Sequence, residues 1–330
     1  MKVEHVKGNT WTLIDWEYIP FYKVDESHCV LLDTGTHEQR EDLENTLLDL
    51  GLTPIGMVGS HAHIDHMGSF AYFQQKYGAK LALTLGEAGQ IYSHIGLHLQ
   101  YNNLALEEFP KYPELYTAPC LPDIIVLPGE TEVEVCGVTF GLVRTPGHTV
   151  DHVCIRTPDN VLYLGDAMMT GRTLHRSKFP YAFDVGVYLD SLGKLRMAEA
   201  DKFIVAHQGV YDEILPFIDL ELRFMTTRMV ELLDLVPPDG YTTPKMMTQA
   251  MCQKYRIHSD SVRTMAYYES AGGIYIHYLV GQGYLESYVE EDQIRYRLTQ
   301  LARDRDKPKG EALPKAGLFG ALPGESKVSE

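Results

Sequence analysis

His61-Ala62-His63-Ile64-Asp65-His66 sets four potential metal ligands within six residues, directly after the run Ile55-Gly56-Met57-Val58-Gly59-Ser60. A short apolar run of that kind reads as a buried strand. Side chains alternate in direction along extended backbone. His61 and His63, leaving the strand at alternate positions, therefore point to one side and can share an ion. Asp65 and His66, on the turn after them, can reach a second ion beside it. Four polar groups gathered at one point without a metal would be hard to satisfy, so the cluster reads as ligands and not as a polar loop.

Three later stretches repeat the device of an apolar strand ending in a donor. Val143-Arg144-Thr145-Pro146-Gly147-His148 presents an imidazole after a Pro-Gly turn, Val161-Leu162-Tyr163-Leu164-Gly165-Asp166 a carboxylate, and Phe203-Ile204-Val205-Ala206-His207 another imidazole. Each is weak alone, because a histidine at a strand end is more often structural. Together with the first cluster they supply five histidines and two carboxylates, three ligands per metal plus one bridge. Imidazole and carboxylate without thiolate favours two zinc ions, and also admits iron or manganese.

Around these points the chain alternates strands and helices. Residues 11–15 and 28–33 read as strands, the second ending in the turn Asp33-Thr34-Gly35. Residues 38–50 and 67–77 read as helices, and 80–83 as a strand. Residues 96–122, rich in Pro, Tyr and Leu, suggest an irregular insert and a lid. Strands resume at 124–127, 131–135, 138–144, 152–156, 161–164 and 203–205, with helices over 187–198 and 214–235. The pattern predicts a sheet-on-sheet core covered by helices. Pro237-Pro238-Asp239-Gly240 marks a boundary. Beyond it, helices at 244–255, 259–266 and 272–279 followed by a hairpin over 283–298 have the layout of a winged helix. The expected division is 1–238 catalytic, 239–300 winged-helix-like and 301–330 a partly flexible tail.

With 330 residues, 45% hydrophobic and 22% charged, the chain has the composition of a soluble globular protein. Its formal charge of −16 opposes polyanions unless a local basic patch intervenes. Five scattered cysteines suggest buried thiols in a reducing compartment. The N-terminus lacks a signal-like apolar run, and no stretch is apolar enough to cross a bilayer, so a cytoplasmic protein is expected.

His-x-His-x-Asp-His, followed by Pro-Gly-His, Gly-Asp and a final strand-end histidine, resembles the metallo-β-lactamase-fold hydrolases over roughly residues 10–235. Asp33-Thr34-Gly35 matches an early strand-end motif of the same family. The resemblance implies an αββα sandwich with the metals at one edge of the two sheets. It implies that His61, His63 and His148 bind one ion, that Asp65, His66 and His207 bind the other, and that Asp166 bridges them. Asp33 would orient ligands from behind. Two departures stand out. Val205-Ala206-His207-Gln208 replaces the frequent Pro-Gly-His-Gly, and Met169 stands where the lactonase branch carries tyrosine, which argues against a homoserine lactonase.

The implied chemistry is hydrolysis by a hydroxide shared between the metals, with Asp65 and Asp166 as the catalytic carboxylates. Arg172, His175, Arg176, Lys178 and Tyr181 lie on a loop just after the bridge, a candidate clamp for an anionic small-molecule substrate. A small anionic ester or thioester, as in the glyoxalase II-like branch, fits best. The alternatives are RNA cleavage aided by the winged helix, and diiron redox chemistry. Between Tyr241 and Gln300, however, about six basic side chains face about six acidic ones, no footprint for nucleic acid. The C-terminal domain is instead expected to act in packing, as a lid or a homodimer contact, and no membrane partner is expected.

Overall fold

The computed structural model describes residues 1–93, 96, 105, 107, 111 and 118–305. Most of the insert expected at 96–122 and of the tail expected at 301–330 lies outside them. The chain forms two compact units. One comprises Met1–Met168 with Ala198–Ile214, the other Met169–Met197 with the residues from Leu215 onward.

The first unit holds two sheets. Seven strands lie side by side in chain order: β1 (Lys2–Lys7), β2 (Thr10–Ile14), β3 (Tyr18–Lys23), β4 (His28–Leu32), β5 (Thr53–Val58), β6 (Lys80–Thr84) and β7 (Ile124–Val126). Pairing is antiparallel up to β4 and parallel from there on. The second sheet has the order β13-β12-β11-β10-β9-β8. Its strands are β8 (Glu132–Val135), β9 (Val138–Arg144), β10 (Val153–Arg156), β11 (Val161–Tyr163), β12 (Lys202–Val205) and β13 (Gly209–Tyr211). Only β11 and β12 run parallel there.

Alternation along β4 shows how the layers form. Val30 and Leu32 join Phe140, Ile155 and Tyr163 of the second sheet in one buried cluster. Cys29 and Leu31 join Leu43, Leu47, Phe70 and Phe73 in another. Those last four belong to helices α1 (Arg40–Asp49) and α2 (Phe70–Tyr77), which cover the other face of the first sheet. Each such side chain, once fully buried, contributes about 1.5–3 kcal/mol. The mixed α/β sandwich expected from the sequence is therefore present. Strands β1 and β3 were not expected. Pro20 disguises β3, since proline removes a ladder donor. It is accommodated because β4 pairs only with Phe21, Tyr22 and Lys23, and Pro20 lies opposite Thr12 of β2.

In the second unit, residues 171–177 form a helix, Gly171–Ser177, where the sequence suggested a loop. The two short helices expected over 259–279 are one, Val262–Gly281, capped by Ser261. Gly272-Gly273 reads as a break on propensity grounds. The helix continues through it because Gly272 is a packing position: a Cβ there would lie 2.7 Å from Oγ1 of Thr248 on the helix Pro244–Tyr255. Three tyrosines of the longer helix donate to carbonyls at and just after the end of Gly171–Ser177. Tyr267 bonds the Phe179 carbonyl at 2.8 Å, Tyr268 that of Ser177 at 3.3 Å, and Tyr275 that of Pro180 at 3.1 Å. A hairpin completes the order, Leu285–Glu290 with Gln293–Leu298, and Thr242 adds a bridge to Tyr296 on its second strand. No helix among the described residues is long and apolar enough to cross a membrane.

Candidate metal centre

The donors collect where strands end. His61, His63, Asp65 and His66 follow β5, His148 follows β9, Asp166 follows β11, and His207 lies between β12 and β13. Ligand atoms of His61, His63, His148 and Asp166 all lie within 4.8 Å of one another. Nδ1 of His63 is 2.9 Å from Nε2 of His148. The Asp166 carboxylate faces two ways. Its Oδ2 is 3.4 Å from Nε2 of His148 and 3.6 Å from Nε2 of His66, and its Oδ1 is 3.4 Å from Nε2 of His207. Oδ2 of Asp65 lies 3.7 Å from Nε2 of His207. All seven ligands expected from the sequence thus converge.

The hydrogen bonds behind the imidazoles decide whether the residues fit a metal. Ser60 has one hydroxyl proton and donates it to Oδ2 of Asp33 at 2.5 Å. Its oxygen must then accept from Nδ1 of His61 at 2.9 Å, which leaves a lone pair on Nε2 of His61. His66 likewise donates from Nδ1 to Oδ2 of Asp33 at 2.8 Å. Both Nε2 atoms are buried with no hydrogen-bond partner. Orphaned buried acceptors cost free energy, and a coordinated cation removes that cost. Asp33 also accepts from the Ser60 amide at 2.7 Å and the Tyr163 hydroxyl at 2.8 Å. It is buried, at φ +60°, and fixes Ser60 and the His66 ring rather than merely turning the chain.

Charge follows the same plan. Burial first, then neighbouring imidazoles, hold His61 and His148 well below the usual imidazole range, so both are neutral donors. Burial alone would raise Asp166, but His207 and His66 outweigh it and keep the carboxyl well below its ordinary value.

Several supporting residues carried no sequence signal. Glu87, pushed up to about 7 by burial, accepts from the Ala62 amide at 2.9 Å, Thr149 Oγ1 at 2.7 Å and the Asp151 amide at 2.8 Å. It ties the His61–His66 and His148 segments together. His152, held down to about 3 by burial, accepts the Asp166 amide at its Nε2 at 3.2 Å. Gly165 makes room for this: at φ +50°, a Cβ would stand 2.8 Å from both His152 Nε2 and Ser60 Oγ. Glu17, pushed up to about 8 by burial, shares a donor group with His66 and His207. Trp16 stacks on His207 at 5.0 Å between ring centroids.

A family model described as the metallo-beta-lactamase superfamily matches residues 17–207. The chain belongs to that superfamily. Relatives include a hydroxyacylglutathione hydrolase of Serratia proteamaculans, 28% identical over 153 residues, 46% of this chain and 47% of that protein. Hydroxyacylglutathione hydrolase GloC of Haemophilus influenzae is 25% identical over 196 residues, 58% of this chain and 84% of that protein. The chain thus spans about half the length of the first of these relatives. Among solved structures, a beta-lactamase domain protein from Burkholderia ambifaria superposes with TM-score 0.66 at 18% identity, covering 90% of this chain and 94% of that one. A metallo-beta-lactamase family protein from Thermus thermophilus gives 0.62 at 22%, covering 86% and 94%. These two establish the fold.

The expected substrate contacts belong to the second unit. Arg172, His175 and Arg176 are placed on the helix Gly171–Ser177, and their spacing of three and four residues puts them on one face. Arg172, His175 and Arg176 are exposed there, with Leu174 turned inward. Half-buried Lys178 comes next at φ +64°, its carbonyl accepting from Arg228 Nε at 2.9 Å. Tyr181 is half-buried against the Tyr267 ring, 5.9 Å between centroids.

Proposed function

We propose that this protein is a dinuclear metal-dependent hydrolase of a small anionic ester or thioester. The observation that carries the reading is Asp166, whose carboxylate lies within 3.6 Å of Nε2 of His148, from the first donor set, and of His66 and His207, from the second. His61, His63 and His148 would hold one divalent ion, Asp65, His66 and His207 a second, and Asp166 both. Zinc, the usual metal of this family, suits such a donor set. Two bound ions would supply an activated water and polarise the carbonyl under attack. Asp65, half-buried, would take a proton on its carboxylate oxygen. Asp33 and Glu87 would keep the donors oriented through their hydrogen bonds to His66 and the Ala62 amide.

The thioester preference rests on the two hydroxyacylglutathione hydrolases among the relatives. Arg172, His175, Arg176, Lys178 and Tyr181 are the candidate contacts for the substrate's anionic end. The rival reading, RNA cleavage, draws support from the order helix, Thr242 bridge, two helices and hairpin, which suits a winged helix over residues 239–300. The hairpin's own charges oppose it. Arg295 pairs with Glu290 and Glu291, and Arg297 with Glu286 at 2.7 Å. Phosphate binding needs cations free to release counterions. This pairing favours a packing role for the domain.

The test combines metal analysis of zinc-supplemented protein with parallel assays on a hydroxyacyl thioester of glutathione, a neutral thioester and single-stranded RNA. Two ions per chain and preference for the anionic thioester are expected. One ion or none would remove the dinuclear reading. RNA turnover that falls steeply with salt would install the rival, and iron with no hydrolysis would favour the redox alternative.

A further inference from the structure

We infer that Glu17 is an additional ligand of the ion held by His66 and His207, giving this protein a carboxylate-rich second metal position. The inference rests on the two-ion reading above and deepens it.

Three independent observations meet at this residue. Glu17 is 1% exposed, and its Oε1 has no hydrogen-bond partner. An unpaired buried carboxylate is costly, and such groups persist where they are paired or coordinate a metal. One of its oxygens lies within 4.8 Å of ligand nitrogens of both His66 and His207. Finally, the turn that carries it is fastened to the strand end that carries His207: the Tyr18 amide donates to the Ala206 carbonyl at 2.6 Å. Trp16 stacks on the His207 ring from the same turn, 17° from parallel. Glu17 and His207 are thus held to one another by backbone, not by a mobile side chain alone.

Charge balance points the same way. Asp33, Asp65, Asp166 and Glu17 would put four carboxylates around one buried centre, which two divalent cations would neutralise. The two positions then differ in kind. His61, His63 and His148 with Asp166 make an imidazole-dominated site. His66 and His207 with Asp65, Asp166 and Glu17 make one in which oxygen donors prevail, and such donors suit harder ions such as manganese better than imidazole alone does.

The experiment titrates full-length apoprotein with Zn2+, Co2+ and Mn2+, following heat and Co2+ absorption, for wild type, Glu17→Gln and Glu17→Asp. Thermal melts of each protein are recorded with and without metal. Wild type should take two ions, with Mn2+ favouring the oxygen-rich position of His66 and His207. Glu17→Gln should bind the first ion as before and the second about 10–100-fold more weakly, on the scale of losing an outer metal partner or more. Its apo form should melt no lower than wild type, while the rise in Tm on adding metal shrinks. Glu17→Asp, with its charge on a shorter arm, should fall between. Unchanged affinity for the second ion in Glu17→Gln would overturn the assignment. So would a sharp drop in apo Tm with the metal-induced rise intact, since that marks a packing role. Uptake of a single ion by wild type would instead overturn the two-ion reading and this inference with it.

Discussion

The strand-end donor cluster and the basic face of the helix Gly171–Ser177 are both polar, but they are held in opposite ways. At the cluster, buried imidazoles have partners behind them: Ser60 for His61 and Asp33 for His66. Those partners are themselves fixed, Asp33 by Tyr163 and the Ser60 amide. Arg172 and Arg176 border solvent on a helix of seven residues. The first arrangement fixes atoms before anything binds, which is what a metal needs. The second supplies field and little geometry. Substitutions in the cluster should therefore act in large steps, and those on the helix in small ones.

The largest step is expected at Asp166. Asp166→Asn should keep its far-ultraviolet dichroism but lose at least about 10²-fold in thioester hydrolysis, more than loss of an outer partner costs, and bind less than two ions. Full activity with two ions would reduce Asp166 to a turn residue and erase the contrast. Next comes Asp33→Asn, which touches no ion in this scheme. Removing the acceptor behind His66 should weaken metal binding about 10–100-fold, read by competition with a chelating dye. Wild-type affinity would show that the orienting network is dispensable. The smallest effect belongs to the cations. An exposed ion pair contributes at most about 1 kcal/mol, so alanine at Arg172, Arg176 or Lys178 should raise KM for the anionic thioester by up to about fivefold each, and leave the neutral one unmoved. Equal effects on both substrates would make the helix an ordinary solvated face.

The difference between the two regions also explains what the sequence could show. Candidate metal donors at the ends of apolar strands are visible because the strand sets their direction, so His61, His63, His148, Asp166 and His207 could be read together although the later ones are weak alone. Their supports could not. Glu87 reaches Thr149 across 62 residues and Tyr163 reaches Asp33 across 130, and such pairs exist only once the sheets have stacked. Glu17 lies in the short interval between β2 and β3, with nothing local to mark it. The division between the units was equally hidden. A Pro-Pro-Asp-Gly break suggested a boundary near residue 238, whereas the helix Leu215–Leu233 and residues 169–197 group with the C-terminal part of the chain. Local punctuation reports where an element stops, and not which neighbours it buries against.

The three tyrosine hydroxyls of Val262–Gly281 have a consequence in time. Their carbonyl partners at Ser177, Phe179 and Pro180 precede them by 88 to 95 residues. At a synthesis rate of about 5–20 residues per second, that interval lasts roughly 5–20 s. During it the segment after Asp166 waits for the groups that will fasten it, while the strands bearing His61 through His207 are completed well before Tyr267 is made. A nascent chain stalled just past residue 214 should therefore own every metal donor named here and yet lack the fastening for its basic helix, so ion capture can precede the assembly of the surface proposed to read the substrate.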